Sequence, residues 1–224
     1  MRSHQRRGIK ESNDSHQTQG RVIHWANLYD PLLKVLTLGK EKAIREATLE
    51  LAWVNPGEKV LDVGCGTGSL TLLAKERVGP AGEVYGIDPA YEMIDVARGK
   101  CARALVDVIL QTGVIEAIPF ADDTFDVVLS SFMVHHLPED VKKAGFEEVR
   151  RVLVPGGRLL VIDIEPSGLP FLGSLFTHLI GHGRIRGNIT ALPPMLREAG
   201  FDGVEVGPAG YVPLSYALAR TGEV

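Results

Sequence analysis

The chain has 224 residues, 45% hydrophobic and 23% charged, enough for one globular domain with a full core. A formal net charge of -4 supplies no attractive field for nucleic acid, and no basic stripe interleaved with aromatics is present, so a nucleic-acid partner is disfavoured. No apolar run approaches the roughly 20 residues that span a bilayer, the amino terminus lacks an apolar signal core, and Cys65 and Cys101 are isolated, so a soluble protein in a reducing cytoplasm is expected.

Residues 1–21 are polar and basic, with Arg2, Arg6, Arg7 and Lys10 set against Ile9, and are expected to form a disordered leader. Residues 22–56 read as a helical segment. Tyr29-Asp30-Pro31 is a turn into it, Ile44, Ala47, Thr48 and Leu51 share one face, and a break is expected near Gly39. A first strand, Lys59 to Val63, then leads into glycines at 64, 66 and 68 and into an apolar pattern of helical period at Leu70, Leu73, Ala74 and Val78. Such glycines take positive φ and let the backbone approach a ligand, while the free N–H groups of the helix start face it, so the turn points to a nucleotide-like ligand. The dinucleotide fingerprint would place its third glycine at Ser69, which makes a nicotinamide oxidoreductase the weaker alternative; no Gly-Lys-Ser/Thr follows, so this is no P-loop. Asp62 argues the same way, because a carboxylate suits a ligand bearing an ammonium and a sulfonium better than a pyrophosphate.

The second strand, Glu83 to Ile87, ends at Asp88, about 20 residues past the glycines and placed to accept both ribose hydroxyls; its other reading is an N-cap for the helix carrying Met93, Ile94 and Ala97. Val106 to Leu110 is expected as a third strand and Phe125 to Ser130 as a fourth. The loop after the fourth, with Ser130, Ser131, Phe132, His135 and His136, lies where a doubly wound sheet holds its ligand. A helix from Pro138, a turn at Val154 to Gly157 and a fifth strand, Arg158 to Ile164, follow. Residues 165–189 read as a substrate-region insertion, whose apolar run from Leu169 to Ile180 is packing, a pocket for a greasy substrate or a membrane-surface patch. His178 and His182 stand one helical turn apart, but no carboxylate or cysteine completes a set and Gly181 weakens a helix, so no metal is expected. Thr190 opens a last helix capped by Gly200, and a hairpin of Phe201 to Val206 and Tyr211 to Ala219 closes the chain.

The stretch Val60 to Thr71 resembles motif I of the class I S-adenosylmethionine (SAM) dependent methyltransferases. The run Arg150 to Asp163 is similar to the same family, and the Tyr29-Asp30 lead-in, Leu38-Gly39-Lys40 and Ile118 to Asp126 are similar to its group holding the ubiquinone/menaquinone biosynthesis C-methyltransferases and phospholipid N-methyltransferases. The resemblance covers about Trp25 to Arg220. It implies a single domain over 22–224, an α/β Rossmann-like, doubly wound seven-stranded sheet with an antiparallel last strand and helices on both faces. It also implies SAM as cofactor, S-adenosylhomocysteine as product, and a lid at 22–56 whose Tyr29 closes on the methyl donor. The cofactor contacts it implies are Asp62, Gly64, Cys65, Gly66, Gly68, Asp88, Pro89, Met93 and Ser130. Two positions depart from the pattern. The family's adenine-binding carboxylate is Val114 here, so adenine would rely on sandwiching by Val114 and Ile115 and on backbone groups; the quinone enzymes' Arg-Asn pair is His135-His136.

A sulfonium leaving group needs no acid, so the protein's task is in-line alignment and exclusion of water, and the lack of a triad is no objection. Transfer to carbon or to phenol oxygen still needs a base, for which His135 is the candidate. The expected activity is methyl transfer to a small or lipid-like acceptor, a phospholipid amine or a quinol or phenol. The alternative is a catalytically silent SAM-binding regulatory protein, supported by the departure at Val114. The oligomeric state is open.

Overall fold

The computed structural model describes residues 18, 20, 22–23, 26–165 and 189–222. The expected leader and insertion, with His178 and His182, fall almost wholly outside the described residues. Two helices come first, α1 (Ala26–Leu36) and α2 (Glu41–Leu51), with Gly39 at φ 76° between them. Tyr29, Asp30 and Pro31 lie inside α1 and not ahead of it. Pro31 lacks an N–H, but so near the helix start this removes a single intrahelical bond.

Strands β1 (Lys59–Val63), β2 (Glu83–Asp88), β3 (Ile109–Thr112), β4 (Phe125–Ser131), β5 (Leu153–Ile164), β6 (Gly203–Pro208) and β7 (Leu214–Arg220) are interleaved with helices α3 (Ser69–Val78), α4 (Tyr91–Ala104), α5 (Glu139–Val152) and α6 (Leu192–Glu198). They form one seven-stranded sheet in the order β3-β2-β1-β4-β5-β7-β6. The first five strands run parallel, and β7 is antiparallel to both β5 and β6. Strand order therefore reverses between β1 and β4, where a crevice opens at the carboxyl ends.

Several boundaries differ from the sequence reading, among them those of the closing hairpin, whose strands run Gly203–Pro208 and Leu214–Arg220 in place of Phe201 to Val206 and Tyr211 to Ala219. The third strand begins at Ile109 and not Val106, because α4 runs to Ala104, Leu105 closes it at φ 55°, and the Val106 N–H still bonds Cys101 O at 3.0 Å. The fifth strand begins at Leu153, which pairs with Phe125 before a register shift. Ile189–Ala191 forms a 3₁₀ turn, so the last helix starts at Leu192 with prolines behind it, where their missing N–H groups cost least.

Successive strand residues feed two cores, one on each side of the sheet. Leu61, Val63, Val128, Leu159 and Val161 pack with Phe146 and Val149 of α5 and Leu196 of α6. Val60, Val127, Leu129, Leu160 and Ile162 pack with Ile44 and Leu49 of α2 and Leu70 and Ala74 of α3. This explains why the parallel strands read as continuous apolar runs. Phe146 is fully buried in the first core. Its replacement by alanine is expected to lower stability by about 3–5 kcal/mol, measured by urea unfolding.

Candidate functional site

The turn after β1 is built on backbone that needs glycine. Gly64, Gly66 and Gly68 have φ of 73°, 51° and 75°. The Gly64 and Cys65 N–H groups both donate to Ile87 O, at 2.8 and 3.0 Å, which fastens the turn to the end of β2. A Cβ on Gly64 would stand 2.5 Å from Met133 Cγ, and one on Gly68 would stand 2.8 Å from Ala97 Cβ. At Gly66 the same Cβ would meet only the Tyr29 ring, at 4.0 Å, among the described residues. Among the described residues Gly66 therefore borders an open space, a hollow beside the Tyr29 ring of α1.

The Gly66 N–H donates to Asp88 Oδ2 at 3.0 Å, and the Ala90 N–H donates to Asp88 Oδ1 at 2.9 Å. Ala90, not Asp88, is the N-cap residue of α4. One carboxylate thus shapes both the glycine turn and the approach to the next helix. Each of its oxygens has two lone pairs, so neither bond uses up its capacity to accept.

Asp62 is buried beneath the turn and accepts the Thr71 hydroxyl at 2.7 Å. Burial pushes its carboxyl up to about 7; the charge of Asp88 adds to this, while the Thr71 hydrogen bond and Arg45 oppose it. Tyr29 of α1 has its phenol pushed up to about 12, first by burial and then by the charges of Asp88, Asp30 and Asp163, against the pull of Arg45. It is therefore a hydrogen-bond donor at any physiological pH. Met93 is buried in a small cluster with Ala26 and Ala90, against which Tyr29 packs. Pro89 lies just ahead of α4 in the link from Asp88.

On the other side of the crevice, β4 ends in Ser130, whose buried hydroxyl has no hydrogen-bond partner among the described residues. Phe132 holds φ 57°, a conformation a bulky side chain seldom adopts, and its N–H bonds Ile162 O at 2.9 Å. A 3₁₀ turn, Val134–His136, then sets His135 against the end of β5. His135 Nδ1 is 2.6 Å from Asp163 Oδ1, and the His135 backbone N–H donates to Asp163 Oδ2 at 2.8 Å. The Ile164 N–H also donates to Asp163 Oδ1, at 2.8 Å. Both side chains are almost fully enclosed, 8% and 4% exposed. With Asp163 accepting from Nδ1–H, the neutral ring carries its lone pair on Nε2. The His136 ring lies 3.8 Å from that of His135, centroid to centroid.

The remaining candidates sit lower in the fold. The Cys65 side chain packs with Ile94, Ala97 and Cys101, and burial pushes its thiol well above the ordinary range. Cys65 thus offers the crevice its backbone and no thiolate. Val114 pairs with Ala117 in an isolated bridge after β3, while Ile115 belongs to the α5-side core, its Cγ1 2.8 Å from where a Cβ on Gly145 would stand. Asp163, Arg45 and Met133 were not singled out from the sequence. The charged groups sit more than a hundred residues apart, and Met133 reads there as one more apolar residue.

Sheet order and turn define a nucleoside-binding α/β domain whose crevice is lined by carboxylates and not by a phosphate cradle. The methyltransferase domain family matches over residues 60–157. A ubiquinone/menaquinone biosynthesis C-methyltransferase of Burkholderia multivorans is 30% identical over 226 residues, covering 88% of this chain and 89% of that protein. An arsenite methyltransferase of Halobacterium salinarum is 38% identical over 157 residues, covering 68% of this chain and 39% of that protein. Among solved structures, a SAM-dependent methyltransferase from Aquifex aeolicus superposes with a TM-score of 0.67 at 25% identity, covering 85% of this chain and 97% of that one. The chain belongs to the family of SAM-dependent methyltransferases, and SAM is its cofactor. The open hollow at Gly66 and the acidic surroundings fit a nucleoside with a cationic end. No helix among the described residues is long and apolar enough to cross a membrane.

The state of Asp62 carries a testable sign. Its carboxyl is raised from 3.8 to about 7 in the folded protein, so its stability contribution is full below the lower value and lost as pH rises through the higher. Asp62→Asn, neutral throughout, is expected to gain stability relative to the parent between about pH 5 and about pH 8, read from urea unfolding at both.

Proposed function

We propose that the protein transfers a methyl group from SAM to a small or lipid-like acceptor whose nucleophile must first lose a proton, a quinol-type ring carbon or a phenol oxygen. The observation that carries this reading is the enclosed His135–Asp163 pair at the crevice. An amine that binds unprotonated has little use for such a base, whereas carbon and phenol acceptors need one. The relative in Burkholderia multivorans is named for methylation at carbon in ubiquinone/menaquinone biosynthesis, which supports the same choice. The lipid-like part rests on the apolar run Leu169 to Ile180.

In this reading SAM supplies an electrophilic methyl group on a sulfonium that departs without acid help. Asp88, held at the tip of β2 by the Gly66 and Ala90 N–H groups, accepts from the ribose hydroxyls. The turn 64–68 lets the backbone lie close to the nucleoside, Met93 and Pro89 border it on the α4 side, and Val114 and Ile115 flank the base with backbone and apolar surface. Asp62, its carboxyl raised to about 7, braces the turn from below through the Thr71 hydroxyl, and Ser130 offers its hydroxyl, unpartnered among the described residues, from the β4 side. His135 takes the acceptor's proton on Nε2, Asp163 holds the ring and stabilises the cation that forms, and the Tyr29 phenol, kept neutral, borders the crevice from α1. The acceptor is then positioned for in-line attack on the methyl group with water kept out by α1.

The arsenite relative suggests a thiophilic acceptor, but both cysteines of this chain are buried and burial pushes both thiols up. Two free, buried cysteines also fit a cytoplasmic setting.

Asp88→Ala is expected to weaken SAM binding by about 2–4 kcal/mol in calorimetry, since it removes a charged acceptor and frees the turn. His135→Ala is expected to lower kcat by about 10²–10⁴-fold on a quinol or phenol acceptor while the SAM affinity is kept. Asp163→Asn should lower kcat less and shift the pH profile of kcat. Methyl release to a phospholipid amine alone, unchanged by His135→Ala, would overturn the reading, and SAM binding with no release to any acceptor would favour the silent regulatory protein.

A further inference from the structure

Beside the crevice, four polar side chains from three separate parts of the chain close on one another. Asp30 follows Tyr29 on α1, Thr67 lies in the glycine turn, Ser69 opens α3, and Lys100 projects from α4. The Thr67 hydroxyl donates to Asp30 Oδ1 at 2.7 Å, and Lys100 Nζ pairs with Asp30 Oδ2 at 2.5 Å. Lys100 Nζ also donates to Thr67 Oγ1 and Ser69 Oγ, each at 2.8 Å. The three N–H donors of the ammonium are thereby engaged, and the Thr67 hydroxyl both gives and accepts. The pair is partly shielded, with Lys100 20% and Asp30 35% exposed.

We propose that this ring is a clasp that holds α1 shut over bound SAM, so that Asp30, Lys100 and Thr67 set the rate at which cofactor and product leave. Asp30 is the immediate neighbour of Tyr29, whose ring stands 4.0 Å from the Cβ position of Gly66, so fixing Asp30 fixes the ring over the hollow. Among the described residues, Ala26 and Tyr29 of α1 pack against Ala90 and Met93, Leu32 and Leu33 are half-buried, and Leu28 and Val35 are exposed. The bonds of Asp30 are the polar ties from α1 to the glycine turn and α4, and charge-assisted ones are the strongest kind available. The clasp residues are positioning residues and leave Asp88, His135 and Asp163 untouched.

The test is the release of radiolabelled SAM after rapid dilution of the complex into excess unlabelled SAM, with thermal unfolding as a check of folding. Lys100→Met and Asp30→Asn are each expected to speed release by about tenfold or more. The doubly reversed protein, Asp30→Lys with Lys100→Asp, should restore slow release, because the Thr67 and Ser69 hydroxyls donate as readily as they accept. If the charge variants do not fold, Thr67→Val decides alone: it keeps size and charge, removes the hydroxyl that joins Asp30 to Lys100, and is expected to speed release several-fold. Release at the parent rate in folded Lys100→Met or in Thr67→Val, or a reversed pair as fast as the single variants, overturns the clasp.

Discussion

The bond from the Gly66 N–H to the Asp88 carboxylate is the constraint on which the site depends. It joins the turn after the first strand to the tip of the second, two points 22 residues apart. A left-handed backbone at Gly64, Gly66 and Gly68 is permitted by glycine but not required by it. The two N–H groups held by Ile87 O and the one held by Asp88 select that conformation from the many available. Because the same carboxylate also receives the Ala90 N–H, the approach to α4 is set along with the turn, and Met93 and Lys100 are delivered to the crevice rim as a consequence.

The electrostatics of the crevice follow from concentrating carboxylates there. Asp30, Asp62, Asp88 and Asp163 all lie near enough to act on one another or on Tyr29. Such a group repels a phosphate and attracts a sulfonium, so charge selects the class of ligand before any contact does. The protein limits the self-repulsion in two ways. Arg45 and Lys100 bring compensating charge, and the most deeply buried acid, Asp62, has its carboxyl raised to about 7, which leaves it substantially protonated near neutrality. Tyr29, at the centre of the group, stays neutral for the same reason.

Much of this was legible in the residues. The strand, turn and helix around Gly64 to Gly68 announced themselves through a short apolar run that gives way, across glycines, to apolar residues at helical spacing. The parallel strands appeared as short apolar runs, and the hairpin at the end followed from its short connection. Two boundaries slipped for different reasons: Val106 reads as a strand residue but is still bonded back to Cys101 at the end of α4, and Leu153 stands just ahead of the expected turn but finds Phe125 to pair with. Tyr29-Asp30-Pro31 reads as a turn because proline usually breaks helices; inside α1 Pro31 removes one intrahelical bond and the helix continues to Leu36.

The sequence by itself determined the glycine turn and the acidic tips of the first two strands, because each is a local pattern whose physics is complete within a few residues; the fold class came from resemblance to a known family. It could not show that Asp163 would meet His135, that Lys100 would reach Asp30, or that Met133 would cover Gly64. Those meetings join residues about 28, 70 and 69 positions apart, brought together by the order in which parallel strands lie side by side. Strand order is settled by packing two apolar faces at once, a property of the whole chain, and only the tertiary structure decides it.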